Sequence, residues 1–268
     1  MTALHETALI TGASSGIGEA LALVFAQHQY DLILVARSVD KLEALAMQLN
    51  REYGVEVAVR PCDLSVSGNV KHLCETLLDD GKQIDILVNN AGVVEHGSFV
   101  KITADDHQRI LQLNVCAVTA MVSYLLPSMI RRGTGRVLNV ASLGAFQPLP
   151  SVATYAATKA FVLSLSEALA EEVRGTGVTV TALCPGLTAT DMVANAQKKS
   201  QTLLNIPSWV FADANTVARK GFHACLNGNA IAVPGLKNFL ASILSRATPK
   251  WLVRRIGGII GRATLSAR

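Results

Sequence analysis

The chain has 268 residues, 50% hydrophobic and 16% charged, which is enough for one large α/β domain with a sizeable core and excludes a disordered chain. Five cysteines, at 62, 74, 116, 184 and 225, form no C-x-x-C pair, and six histidines are not spaced beside them as ligands. Neither a disulfide framework nor a metal site is therefore expected, and scattered thiols fit a reducing compartment. Formal charge is +4 but uneven: residues 1–190 carry 13 Lys and Arg against 18 Asp and Glu, a net −5, and residues 191–268 carry 11 against 2, a net +9.

At the start, His5 and Glu6 precede a strand-like run, TALI (7–10), so the opening residues do not read as a leader. The turn that follows holds Gly12, Ser14, Ser15, Gly16, Ile17 and Gly18 in a G-x-x-x-G-x-G spacing, ahead of the helical pattern EALALVFAQHQ. Glycines there let the backbone turn sharply and approach a pyrophosphate, which a helix N-terminus favours. A plain strand-to-helix turn uses the same residues, and the flanking strand and helix favour the nucleotide reading.

The second strand, DLILVA (31–36), ends at Arg37 with no acid beside it. An acid at that point would hold a ribose 2′-hydroxyl, whereas an arginine accommodates a 2′-phosphate, so NADP is favoured over NAD. After the helical pattern VDKLEALAMQLNREYG comes the third strand, VEVAVR (55–60), followed by Asp63 and Leu64. Asp63 is placed either to accept from an adenine amino group or to cap the next helix. The fourth strand, IDILVNN (84–90), leads into Ala91 and Gly92.

Two uncharged stretches follow, 110–130 and 137–158. The first contains Gln112, Asn114, Ser123 and Pro127 and the second is broken by Pro148 and Pro150, so neither is read as crossing a bilayer. Asn114 is placed either to anchor a water near Lys159 or to bond helix backbone. Ser142 ends the fifth strand, RVLNVAS (136–142), where a hydroxyl can hold a substrate carbonyl. Tyr155 and Lys159 stand at i and i+4 in YAATK, one face of a helix. A phenol titrates near pH ~10, and a neighbouring ammonium is expected to lower that value and make Tyr155 a proton donor to a developing alkoxide.

The sixth strand, VTVTALCPG (178–186), ends in Pro185-Gly186, with Thr188 and Thr190 beyond it. Residues 191–228 then interrupt the rhythm before the last strand, AIAVPG (230–235), and are expected to cover the site with apolar side chains such as Leu203, Trp209 and Phe211. Strands apolar throughout and separated by helices predict an α/β fold, a single doubly wound (Rossmann-type) domain over 1–235 with a parallel sheet of about seven strands. The C-terminal extension, 236–268, has Leu236, Phe239, Leu240, Ile243 and Leu244 at helical spacing and seven cations without an acid. Such a segment suits an anionic membrane surface, a neighbouring subunit or the acidic body of the chain itself.

TGASSGIG (11–18), NNAG (89–92), Asn114, Ser142, YAATK (155–159) and PG (185–186) before Thr190 stand in an order that resembles the short-chain dehydrogenase/reductase family, over roughly residues 7–235. The resemblance implies a catalytic set of Asn114, Ser142, Tyr155 and Lys159. It implies that Asn90 and Gly92 line the adenosine ribose, Ile17 the nicotinamide and Thr188 or Thr190 its carboxamide, with Lys159 also on the nicotinamide ribose. The expected activity is NADPH-dependent reduction of a lipophilic ketone or aldehyde, steroid-like or 3-oxoacyl-like. Oxidation of the alcohol by the same site and a non-turning-over NADP sensor are the rivals. The expected partners are that small molecule and further copies of the chain, as a homodimer or homotetramer through the helices at 110–130 and 156–170. No nucleic acid and no metal are expected, and the setting is the cytoplasm with peripheral membrane contact through 236–268.

Overall fold

A computed structural model describes residues 5–190, 210–248 and Arg255. Seven strands, β1 (Thr7–Thr11), β2 (Asp31–Ala36), β3 (Val57–Pro61), β4 (Ile86–Asn89), β5 (Gly135–Val140), β6 (Val178–Leu183) and β7 (Ile231–Ala232), form one sheet in the order β3-β2-β1-β4-β5-β6-β7. Every pairing is parallel. The fold is therefore the doubly wound arrangement read from the strand spacing, with the order reversing between β1 and β4.

Side chains alternate between two apolar layers, because successive residues of a strand point to opposite faces. Ala8, Ile10, Leu32, Leu34, Ile86, Val88 and Leu138 meet α1 (Gly16–Gln27), α2 (Val39–Tyr53) and α7 (Ala214–Leu226) on one face. Leu9, Ile33, Val35, Leu87, Val137 and Val180 meet α3 (Asn69–Asp79), α5 (Ala117–Arg132) and the end of α6 (Ala153–Glu172) on the other. With both faces covered, the strands need no polar side, which is why they are apolar throughout. Gly54 and Gly133 close α2 and α5 in the left-handed conformation, at φ 71° in each case.

α4 (Ala104–Leu111), a π-helical turn (Gln112–Cys116) and α5 form a continuous helical run, long and apolar enough to cross a membrane. Met121, Leu125 and Met129 of that run are buried in the second layer, as befits a core helix. The expected cover over the site, 191–228, is corrected in its second half. Val217, Ala218, Phe222 and Cys225 of α7 are buried beside α1 and the sheet, so residues 214–226 are core. Residues 191–209, with Leu203 and Trp209, lie outside the described residues, as do 249–254 and 256–268. The extension begins with α8 (Leu236–Ala247).

Candidate active site

The site lies at the carboxyl ends of β1, β2, β4, β5 and β6, where the strand order reverses and the crossing helices leave a crevice. Gly12 and Gly16 adopt φ 65° and 62°, a conformation that costs a glycine little. A Cβ on Gly12 would lie 2.9 Å from the Ala91 Cα, and one on Gly18 would collide with the Gly12 carbonyl and the Asn90 amide. The turn therefore packs backbone on backbone and brings free N–H groups to the N-terminus of α1, a cradle that side chains would fill. These residues fit the pyrophosphate of a dinucleotide.

Thr11 ties this turn to β4. Its hydroxyl donates to the Val88 carbonyl at 3.2 Å and accepts from the Asn90 and Ala91 amides at 3.0 Å each. The Asn90 side chain donates back to the Thr11 carbonyl at 2.9 Å. Ile17 is half-buried against the first layer, and Ser14 and Ser15 are half-buried on the turn.

At the end of β2, Arg37 is exposed, and its guanidinium stands 4.0 Å from the Asp63 carboxylate. Asp63 does not cap α3, whose N-cap is Gly68. Its carboxylate instead accepts from the Ser65 amide at 2.9 Å and the Ser65 hydroxyl at 2.6 Å, closing a local turn. Burial opposes ionisation there, but those two hydrogen bonds and the Arg37 and Arg109 cations hold the carboxyl below its ordinary value. Leu64 beside it is buried in the second layer. An exposed arginine at this strand end, held only loosely by Asp63, suits a 2′-phosphate.

Ser142 follows β5 and accepts from the Gly144 amide at 3.0 Å, which fixes the rotamer of its hydroxyl. Tyr155, one turn into α6, has its phenol near enough to that hydroxyl for Ser142 to act on its titration. Burial pushes the phenol above its ordinary value, and Ser142 pulls it only part of the way back. Lys159, one turn further along α6, is buried and donates to the Val140 carbonyl at 2.8 Å, with Nζ 5.8 Å from the Tyr155 ring centroid. Burial pushes its ammonium down to about 8. The expected lowering of the phenol by Lys159 does not prevail: one of the three ammonium donors is held by a backbone carbonyl, and desolvation governs both groups.

Asn114 does not bond helix backbone through its side chain, the second of its two expected roles. Its side chain accepts from the Val93 amide and donates to the Val93 carbonyl, both at 2.9 Å, and donates to Thr158 at 3.1 Å. Thr158 in turn donates to the Tyr155 carbonyl at 2.7 Å. The π-helical turn offsets Asn114 from the regular helical face, and such single turns are frequent at functional sites. A Cβ on Gly92 would sit 3.3 Å from the Asn114 oxygen and 3.4 Å from Lys159 Nζ, so the glycine keeps the space between them open.

After β6, the Pro185 carbonyl accepts from Leu143 at 2.7 Å, and Gly186 packs on Asn238 of α8. Thr188 is buried and donates to the Gly186 carbonyl at 3.1 Å. The Thr190 side chain would lie 3.0 Å from a Cβ on Gly16, which brings this loop over the glycine-rich turn. Every site residue read from the sequence is therefore at this one end of the sheet. Among the described residues there is no cluster of His, Cys, Asp or Glu able to hold a metal.

Sequence reasoning missed a buried polar relay behind the site. Asn89 donates to Asn139 at 2.9 Å, Asn139 to Ser166 at 2.9 Å and Ser166 to the Val162 carbonyl at 2.7 Å, tying β4 and β5 to α6. The available signal was two asparagines interrupting otherwise apolar strands, and they pair in register. Ser151, at φ 71°, was missed too: its carbonyl accepts from Gly97 at 2.8 Å ahead of α6.

The profile of the short chain dehydrogenases matches residues 6–201. The chain is a member of that family. It is an oxidoreductase acting on CH–OH and C=O groups. A 3-oxoacyl-[acyl-carrier-protein] reductase of Synechocystis sp. is 34% identical over 197 residues, 73% of this chain and 79% of that one. A short-chain dehydrogenase from Sphingobium yanoikuyae, solved in complex with NADPH, is 32% identical with a TM-score of 0.80 and covers 96% of this chain and 93% of its own. A bulky-bulky ketone specific alcohol dehydrogenase from Comamonas testosteroni is 29% identical with a TM-score of 0.76, covering 95% and 93%.

Proposed function

We propose that this short-chain dehydrogenase is an NADPH-dependent carbonyl reductase acting on a lipophilic ketone or aldehyde, 3-oxoacyl-like or steroid-like. The observation that carries the reading is the convergence of Ser142, Tyr155 and Lys159 at the carboxyl end of β5, with Lys159 Nζ 5.8 Å from the Tyr155 ring centroid and the phenol held protonated by burial. A protonated phenol at this place can give its proton to the oxygen of a carbonyl that is being reduced.

Gly12, Ser14, Ser15, Gly16, Ile17 and Gly18 cradle the pyrophosphate, Arg37 takes the 2′-phosphate, and Asp63 with Leu64 faces the adenine. Asn90, Ala91 and Gly92 line the adenosine ribose, while Pro185, Gly186, Thr188 and Thr190 close over the nicotinamide end. When bound, NADPH supplies the hydride. Ser142 orients the substrate carbonyl through its oxygen, and Tyr155 gives that oxygen a proton. Lys159 sets a positive charge beside the phenolate as it forms and holds the nicotinamide ribose. Asn114 fixes the backbone at Val93 and, through Thr158, the turn of α6 that carries Tyr155.

The 3-oxoacyl and bulky-ketone activities named for the relatives support the substrate class. Apolar grooves on the outer faces of α5 and α6, lined by Tyr124, Leu126, Ile130, Leu165 and Leu169, support a homodimer or homotetramer. An NADPH-consumption screen across ketones, aldehydes, quinones and oxoacyl thioesters tests the reading, with NADH as the parallel donor. Turnover of bulky lipophilic carbonyls, lowered by at least ~10²-fold in Tyr155→Phe with cofactor affinity retained, is the expected result. Cofactor binding without turnover of any carbonyl or alcohol would leave a sensor instead.

A further inference from the structure

α8 presents its polarity in the reverse of a core helix. Leu236, Phe239, Leu240, Ile243 and Leu244 fall on one stripe, and all five are exposed, from 47% for Phe239 and Ile243 to 73% for Leu236. The inward side is polar. Ser242 is buried, Ser245 donates to the Phe146 carbonyl at 3.0 Å, and Asn238 packs on Gly186 while donating to the Pro234 carbonyl at 2.8 Å. Phe146 closes the turn that follows Ser142, so the helix is tied to the rim of the reaction centre with its apolar stripe turned outward.

We propose that this stripe docks on an anionic bilayer, at the boundary between headgroups and acyl chains. Exposed apolar stripes of this width mark an interaction surface, and charge decides which one. From Leu236 to the end the chain carries seven cations and no acid, and residues 249–268 set Trp251, Ile256, Ile259 and Ile260 among Lys250, Arg254, Arg255 and Arg262. Apolar and aromatic residues beside cations are the composition of an interfacial membrane segment. Residues 1–190 carry the opposite sign, a net −5, so an anionic surface attracts the basic end and repels the body, which orients the molecule. A second copy is the poorer occupant, since a two-fold contact through α8 would set one cation-rich end against the same end of the other. Docking does not depend on the proposed reduction, and vesicle binding is read without substrate.

The test is sedimentation of the full-length protein with phosphatidylcholine vesicles, with and without phosphatidylglycerol, at low and high salt. Binding to the phosphatidylglycerol vesicles alone, weakened at least about tenfold by salt, is expected. Leu240→Glu with Leu244→Glu charges the outward stripe and leaves Ser242 and Ser245 in place. That variant is expected to lose at least about tenfold in vesicle partitioning while keeping its melting temperature and NADPH turnover. Arg254→Gln with Arg255→Gln should flatten the salt dependence. Should the double glutamate not fold, Leu240→Ser and Leu244→Ser singly give the same readout. Three results overturn the proposal: no preference for phosphatidylglycerol, a stripe variant that binds as the native chain does, or a stripe variant that instead changes the mass by light scattering, which makes a second copy the occupant.

Discussion

Lys159 is buried where an ammonium is disfavoured, and its titration is a handle on the whole site. Its folded pKa is about 8 against an ordinary 10.5. Between those values the unfolded chain holds the proton and the folded one has released it, so this group stabilises the fold progressively as pH rises from 8 to 10.5. Below pH 8 its burial costs on the order of 3 kcal/mol. Lys159→Met removes the term. The native chain is expected to gain stability relative to that variant between pH 7 and pH 10 (by urea midpoint), with the variant at least as stable near pH 7 and nearly inactive. A difference that stays constant with pH would refute this account. Arg37 gives the second residue-scale prediction. Arg37→Glu removes a phosphate partner and adds repulsion, so NADPH is expected to bind about tenfold more weakly, ~1.4 kcal/mol, and NADH to lose less. Isothermal titration with both dinucleotides measures it. Both residues were legible as positions, because glycine spacing and the i, i+4 pair fix where on the fold they stand. What the sequence could not show was the use of Lys159: spacing along a helix does not tell that its Nζ reaches the Val140 carbonyl.

Among the elements, α6 is held by the relay from Asn89 through Asn139 to Ser166. Asn139 is fully buried, so Asn139→Ala leaves the Asn89 amide and the Ser166 hydroxyl short of partners. Such a loss costs about 1–3 kcal/mol, expected as a lower urea midpoint, with kcat reduced more than KM because α6 carries Tyr155 and Lys159. An unchanged kcat would mean that α6 keeps its position without the relay. Elements divide in a similar way between what pattern reveals and what it hides. Short runs apolar throughout placed all seven strands, because both faces of the sheet are covered, and period-3.6 hydrophobicity placed the helices between them. The same periodicity showed that Leu236, Phe239, Leu240, Ile243 and Leu244 share a stripe but not that it faces outward, because direction is set by what the opposite side bonds. It equally hid that residues 214–226 pack beside α1, since a core helix and a covering helix need the same apolar residues.

For the molecule, the strand order has a consequence for how the chain can be divided. β1, β2 and β3 lie to one side of the reversal and come from the first 61 residues; β4 to β7 are laid down afterwards on the other side. Between them residues 80–83 form an exposed bend, with Gly81 at φ 67° and open space around it. Exposed bends of this kind tolerate a break. A cut there yields one piece bearing the glycine-rich cradle and another bearing Ser142, Tyr155 and Lys159. Neither holds a complete site. The β1–β4 seam joins them, where the Thr11 hydroxyl meets Val88, Asn90 and Ala91, together with the packing of α1 on α7 and of α3 on α5. Residues 1–80 and 82–268 produced together are expected to restore NADPH turnover, and each alone to be silent; activity in a single piece would contradict the division of labour. Reassembly of two fragments thus becomes something a dehydrogenase assay can count, and the seam turns the enzyme into a reporter of its own complementation.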